Sequence, residues 1–307
     1  MDTILGAGGA VGAQLVRELV RAGRTVRLVS RNPAPASETF SADLSDPDKT
    51  SEAVSGSAIV YLLVGLKYDF EVWRTLWPRI MSNAIEACKR AKAKLIFFDN
   101  VYMYGKVSGA MTEQTPFNPC SKKGEIRARI ATTLLNEIKA GGLQAMIARS
   151  ADFYGPRAKT GVPNVLVFDK YANGSTALWL VNDAVQHSLT FTPDAARSLV
   201  MLAGSDTAWD QTWHVPTAPN PPTGKEFITM VAKEFGMQPR YRVLSRPMVK
   251  IAGWFDSDVR ESYEMLYQSE AQYIFDSSKF AAAFGFEATS YAQGIHLTAA
   301  AYGLPAS

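Results

Sequence analysis

The chain has 307 residues, with 32 Lys and Arg against 29 Asp and Glu, and a formal charge of +3. So small and scattered an excess argues against a nucleic-acid or membrane-surface partner. Hydrophobic residues make up 47%, yet no run approaches the ~20 apolar residues that a membrane span requires. Two cysteines, Cys88 and Cys120, stand outside any motif, and no basic-then-apolar leader opens the sequence. A reduced, cytoplasmic setting is expected. In chain order, "TILG" at 3–6 reads as a strand and "AVGAQLVRELVRAG" as a helix closed by Gly23. "TVRLVS" is a second strand, and a short one precedes "ADL" at 42–44. "SAIVYLLVG" is a third or fourth, and its unbroken apolarity is what a strand covered on both faces requires.

A long helix follows in "VWRTLWPRIMSNAIEACKRA", then the strand "KLIFFDN", the helix "KGEIRARIATTLLNEIKAGG" and the strand "LQAMIARS". Strand and helix alternating at this spacing predict an α/β fold with a Rossmann-type, doubly wound parallel sheet. Past about residue 150 the composition shifts toward Gly, Pro, Asn and Trp and the elements shorten. The expected organisation is a dinucleotide-binding domain over 1–155. The last sheet elements, interleaved with a smaller substrate-binding lobe, would follow over 156–307.

The stretch "GAGGAVG" puts glycines at 6, 8, 9 and 12 between the first strand and the first helix. A turn of that kind needs positive φ and close backbone approach, which glycine supplies without a Cβ clash. The helix N-terminus beginning near Ala10 would direct its N–H groups at a pyrophosphate, so Gly6, Gly8, Gly9 and Gly12 are the cradle candidates. At the end of the second strand an NAD site usually carries an acid for the ribose 2′-OH. Here Ser30, Arg31 and Asn32 occupy that end, and Arg31 can fork onto a 2′-phosphate, which favours NADP(H) over NAD(H). Asp43 and Leu44 are candidates for the adenine edge, and Val64 is a further cofactor-binding candidate.

With "GAGGAVG", "ADL", "FFDNVYMYG", "TEQTPFNPCSKKGEIRARIA", "ARSADFYGP" and "TFTPDAAR" in this order, the chain resembles the extended short-chain dehydrogenase/reductases, the superfamily of nucleotide-sugar epimerases and dehydratases. The resemblance covers nearly the whole chain and is most specific in the first 155 residues. It implies a bound NAD(H) or NADP(H) and a C-terminal substrate lobe. The catalytic positions depart from the family. Its Ser/Thr falls on Asn100, and its Tyr-x-x-x-Lys falls on Lys123 and Arg127 when the segments are matched without gaps. A literal Y-x-x-x-K runs from Tyr102 to Lys106, across a strand end and a turn, where i and i+4 do not share a face.

Lys123 and Arg127 are neighbours at i, i+4 on one helix. By the resemblance that face turns to the nicotinamide ribose, so Arg127 is a candidate for the ribose hydroxyls. Lys123, with Asn100, is a candidate donor to a substrate oxygen. Tyr104, and after it Tyr102, are rival acids, and a solvated helix face is the plain alternative for the pair. The resemblance also assigns Tyr154 and Trp179 to the substrate cleft. Trp73 and Trp77, one helical turn apart, are expected to pack; His187 is expected to be structural and Asp194 to start a helix. No cluster has metal-ligand spacing, and no Gly-x-Ser-x-Gly elbow exists. Two readings stand. One is an NADP-dependent oxidoreductase or epimerase-like enzyme acting on a small carbonyl or sugar-like substrate, as monomer or homodimer. The other is a non-catalytic NADP(H)-binding redox sensor.

Overall fold

A computed structural model describes residues 1–30 and 39–303. The chain divides into two compact units. The first comprises Met1–Gly105, Phe117–Ser150 and Ala195–Val215, and the second takes Lys106–Pro116, Ala151–Asp194 and Pro216–Ser307.

The first unit is built on one parallel sheet. Its strands are β1 (Asp2–Leu5), β2 (Val26–Ser30), β3 (Thr39–Ser41), β4 (Ile59–Leu62), β5 (Lys94–Asp99), β6 (Ala145–Arg149) and β7 (Thr212–His214). Their order across the sheet is β7-β6-β5-β4-β1-β2-β3. Asp2 of β1 registers with Val26 on one side and Ile59 on the other. This is the Rossmann-type sheet expected from the sequence. The chain runs outward from β1 to β3 and then crosses back to β4, so the order reverses between β1 and β4. Ligands in open α/β sheets bind beyond the strand ends at such a reversal.

Covered on both faces, β1 and β4 are buried along their whole length. Of the two polar residues of β1, Asp2 pairs through Oδ1 with Arg24 at 2.7 Å, and Thr3 shares a 2.7 Å hydrogen bond with Ser57. Helices α1 (Ala10–Arg21), α2 (Pro47–Val54), α3 (Phe70–Ala91) and α4 (Lys122–Lys139) cross between the strands. Gly23 and Gly141, at φ +71° and +70°, turn the chain after α1 and α4. Asp69 caps α3 by accepting from the Val72 N–H, so that helix begins two residues before the periodic segment read in the sequence. The core joins Leu5, Val60, Leu62, Phe97, Ile147, Trp73, Trp77, Met81, Ile130 and Leu134.

The second unit holds three short parallel strand pairs: 152–154 with 189–191, 177–180 with 241–244, and 110–111 with 274–275. Helices Gly224–Glu234 and Tyr291–Ala300 cover a core of Tyr154, Phe168, Phe191, Phe227, Tyr291 and Ile295. Helix α5 (Thr192–Ala203) carries the chain from this unit back to the first. It starts at Thr192, so Asp194 is not its cap. The Asp194 carboxylate accepts instead from the Thr289 N–H at 2.7 Å and the Thr289 hydroxyl at 2.9 Å.

Candidate active site

The turn from β1 into α1 separates its glycines into two kinds. Gly6 has φ +94°, and a Cβ there would lie 2.8 Å from the backbone of Leu63 and Val64. A Cβ on Gly12 would lie 2.8 Å from the Ala7 carbonyl oxygen. The fold itself forbids a side chain at both. Gly8 has no neighbour within 4 Å of its Cβ position, and at Gly9 the nearest atom is 3.6 Å away. Both residues are exposed, and the protein leaves open space at Gly8 and room for a side chain at ordinary contact distance at Gly9. Gly9 is the N-cap of α1, in extended backbone, with no side-chain cap and no acid in the first turn. The open N–H groups, the positive end of the helix dipole and the absence of negative charge fit a pyrophosphate.

Around this cradle, Ser30 closes β2 and its carbonyl accepts from the Ala42 N–H at 3.3 Å. Arg31 lies outside the described residues. Asp43 is exposed, its carboxylate accepting from the Ser45 N–H and hydroxyl at 2.9 and 2.8 Å. Leu44 is buried in the core, and its carbonyl accepts from Thr50 and Asn83. Val64, half-buried after β4, flanks the Gly6 turn.

The second cluster sits at the end of β5. Ser121 caps α4 by accepting from the Gly124 N–H at 3.0 Å. Gly124 lets the first turn of α4 lie on the backbone after β5, because a Cβ there would meet the Tyr102 carbonyl oxygen at 2.7 Å. That close approach carries Lys123 inward. Lys123 is only 1% exposed, with its ammonium 4.8 Å from the centre of the Tyr68 ring. Asn100 is half-buried; its Oδ1 accepts from the Tyr102 N–H at 3.1 Å, which fixes the amide and leaves Nδ2 to donate.

One turn on, Arg127 turns into the core. Its Nη2 meets Asp99 Oδ1 at 2.6 Å, and its guanidinium lies 4.4 Å from the Trp77 ring centre and 5.3 Å from that of Phe97. Trp73 and Trp77 are buried and pack, as their spacing suggested. Burial pushes the Asp99 carboxyl up, and Arg127 and then Arg149 pull it back down without cancelling the effect. Arg149, at the end of β6, donates to the Tyr104 hydroxyl at 2.7 Å, and that hydroxyl lies 2.9 Å from His214 Nε2. Tyr104 is therefore a buried member of a hydrogen-bond chain. Tyr102 stacks on Trp73, with the ring planes 12° apart. Lys106 belongs to the second unit and pairs with Glu270 at 2.9 Å.

In the second unit Tyr154 and Trp179 are both buried in the core. Tyr154 stacks on Tyr291 at 6.3 Å, and a Cβ on Gly294 would strike its hydroxyl. Burial holds the Tyr154 phenol well above its ordinary value, with Tyr291 and Asp194 adding to the effect. The Trp179 indole donates to the Asn182 carbonyl at 3.1 Å and covers Gly224. His187 stacks on Tyr273 at 4.4 Å and pairs with Asp152 at 3.0 Å. Among the described residues no three His, Cys, Asp or Glu side chains are grouped to hold a metal ion. None of the described helices is long and apolar enough to cross a membrane.

The sequence matches the model of the NAD dependent epimerase/dehydratase family over residues 3–208. The chain belongs to this family. The matched span contains the glycine turn, Asn100, Lys123 and Arg127. Solved structures with a similar fold include the UDP-glucose 4-epimerase of Thermus thermophilus in complex with NAD, at 18% identity over 99% of both chains, with a TM-score of 0.79. Another is the DesIV double mutant, a dTDP-glucose 4,6-dehydratase from Streptomyces venezuelae with NAD and DAU bound. It is 15% identical over 99% of this chain and 97% of that one, with a TM-score of 0.81. A third is the UDP-N-acetylglucosamine 4-epimerase of Bacillus cereus, 16% identical over 97% and 95% of the two chains, with a TM-score of 0.79. At these identities the likeness is one of fold. No curated protein sequence matches the chain.

Asp99 and His214 did not stand out in the sequence of this family member, and Arg149 did so only as one of several basic residues. Each of them closes a strand. For Asp99 and Arg149, a charged residue ending the apolar runs "KLIFF" and "AMIA" was the available sign.

Proposed function

We propose that the chain binds a nicotinamide dinucleotide beyond the ends of β1 and β4 and uses it for hydride chemistry on a small carbonyl or sugar-like substrate. The carrying observation is the glycine turn: the fold forbids side chains at Gly6 and Gly12 but leaves room for one at exposed Gly8 and Gly9, at an acid-free helix N-terminus. When bound, the dinucleotide supplies or accepts the hydride. Hydride addition to a carbonyl carbon puts negative charge on its oxygen, and the groups suited to that charge are the Lys123 ammonium and the Asn100 amide N–H. In the reductive direction the oxygen takes its proton from Lys123, which recovers one from solvent. Arg127 is better suited to hold α4 than to hold a ribose, because its charge is engaged by Asp99. NADP(H) is preferred over NAD(H) through Arg31, with Ser30, Asp43, Leu44 and Val64 completing the surroundings.

A titration of NADPH fluorescence tests the cradle: Gly9→Val should abolish binding. Arg31→Ala should weaken NADPH at least about tenfold and leave NADH nearly unchanged, since a charge-assisted contact contributes about 1.5–3 kcal/mol. Equal affinities of the parent protein for the two cofactors would reject the role of Arg31. Stopped-flow NADPH oxidation across sugar nucleotides, ketones and enones tests the chemistry. Lys123→Ala should remove turnover and keep cofactor affinity, while a comparable loss in Tyr104→Phe would shift the acid role to Tyr104. The engagement of Arg127 by Asp99 favours a second reading, a dinucleotide-binding redox sensor. Tight NADPH binding without turnover of any substrate would decide for it.

A further inference from the structure

Lys123 is the proton donor of the proposed chemistry, yet it is only 1% exposed. A buried ammonium reaches neither a substrate oxygen nor water until part of its cover moves. One side of that cover is the half-buried ring of Tyr68, whose centre lies 4.8 Å from Nζ. Tyr68 sits in the connector between β4 and α3, within the first unit like Lys123 itself. Where the connector starts, Leu63 and Val64 press against the glycine turn, and a Cβ on Gly6 would lie 2.8 Å from their backbone. Where it ends, Asp69 accepts from the Val72 N–H at 3.0 Å. The backbone on both sides of Tyr68 is pinned, because the Lys67 carbonyl accepts from the Asp69 N–H at 2.8 Å and from the Trp73 indole N–H at 3.0 Å. Uncovering Lys123 therefore falls to the Tyr68 side chain, by a change of rotamer, and not to the loop.

Beside that ring lies a flat aromatic wall. Tyr68 meets Trp73 edge to face at 5.3 Å, and Trp73 stacks on Tyr102 at 6.3 Å with the planes 12° apart. Asn100 accepts from the Tyr102 N–H, so the three rings run from one donor, Lys123, to the other, Asn100. The acceptors adjoining these donors are taken: Asn100 Oδ1 by that N–H, and Asp99 Oδ1 by Arg127 and by the Asn100 N–H. A carbonyl oxygen needs donors only. A sugar's hydroxyls need acceptors as well, and against three rings they would lose water without regaining them. On the reading that Lys123 and Asn100 donate to a carbonyl oxygen, we propose that Tyr68 sets the substrate class of this site, and that the class is an aryl-conjugated carbonyl compound. The planar ligand displaces the Tyr68 ring from Lys123 and packs between Tyr68 and Trp73.

Equilibrium dialysis on the full chain loaded with NADP+, which has no hydride to give, reads binding apart from turnover. The probes are benzylideneacetone, its saturated counterpart 4-cyclohexylbutan-2-one, and UDP-glucose. The wild type should hold the aryl enone about tenfold more tightly than the saturated ketone, the gain that one or two ring contacts provide. Tyr68→Ala should lose that preference and Tyr68→Phe should keep it, with NADP+ affinity the same in all three proteins. Without any ligand, acetic anhydride should modify Lys123 about tenfold faster in Tyr68→Ala than in the wild type, since a desolvated cation–π cover is gone. Peptide mass spectrometry reads this, with the exposed Lys92 as internal standard. Equal affinity of the wild type for the two ketones, or tighter binding of UDP-glucose than of either, overturns the proposal. So does a preference that survives in Tyr68→Ala, or equal acetylation of Lys123 in the two proteins. If the preference holds while benzylideneacetone leaves NADPH unoxidised, the result counts against hydride chemistry and for the role of Tyr68.

Discussion

The pairing of Arg127 with Asp99 makes the effect of Arg127→Met depend on pH. Methionine keeps the length that packs on Trp77 and Phe97 but removes the charge that lies 2.6 Å from Asp99. Burial already raises the Asp99 carboxyl, and Arg127 is the largest influence pulling it down. Without Arg127 the carboxyl rises further. A group whose native value is raised stabilises most below its unfolded value, near ~3.9 for Asp, and loses that contribution as pH climbs through the native value. The loss in Arg127→Met should therefore be small near pH ~4 and grow toward neutrality. There it should reach the about 3–5 kcal/mol that follows breaking a buried pair. In thermal unfolding that is a drop of roughly 6–20 °C at pH 7. Asp99→Asn on top of Arg127→Met removes the stranded carboxylate and should recover most of the loss with no pH slope. Urea titrations read by tryptophan fluorescence, with Trp73 and Trp77 beside the pair, would measure all three proteins. A neutral-pH loss below about 1 kcal/mol, a loss that does not shrink on acidification, or a double variant no better than the single would refute the reasoning.

Other expectations follow from single contacts. Gly12→Ala should lower stability as well as NADPH affinity, since its Cβ meets the Ala7 carbonyl oxygen at 2.8 Å, whereas Gly8→Val should lower affinity alone; parallel melting and NADPH titration would separate them. Glu270 runs opposite to Asp99. Lys106 first, then Arg246, holds its carboxyl below the ordinary value, so its contribution is present above the unfolded value near ~4.3 and fades as pH falls through the native one. Glu270→Gln should cost no more than about 1 kcal/mol at neutral pH and flatten the acid limb of the melting profile. Tyr104→Phe strips a hydroxyl from buried Arg149 and His214 and should cost about 1–3 kcal/mol in urea unfolding, whatever its effect on turnover. Gly124→Ala should lower the melting temperature as its Cβ, 2.7 Å from the Tyr102 carbonyl oxygen, lifts the first turn of α4.

The sheet was legible in the sequence because each of its signals is local. Gly6 and Gly12 stand where backbone meets backbone, and β4 is apolar throughout because both of its faces are covered. The place of Lys123 on α4 was legible for a similar reason: a helix fixes which residues share a face. What Arg127 does was not. Spacing along α4 shows that it neighbours Lys123, but its partner is the last residue of β5, and only the crossover between them brings Asp99 within 2.6 Å. Tyr104, Arg149 and His214 pose the same problem, since they arrive from separate elements and are joined at strand ends. A charged residue closing an apolar strand marks either the edge of water or the floor of a buried cluster. The choice rests on what the next helix carries over it. Here the next helix is α4, and Gly124 sets how deeply it sits. A glycine in the first turn, where any side chain would strike the Tyr102 carbonyl, lowers the helix until Lys123 is buried and Arg127 faces Asp99. Read with that close approach in mind, "KGEIR" describes a helix seated against a strand end, with its two cations turned inward.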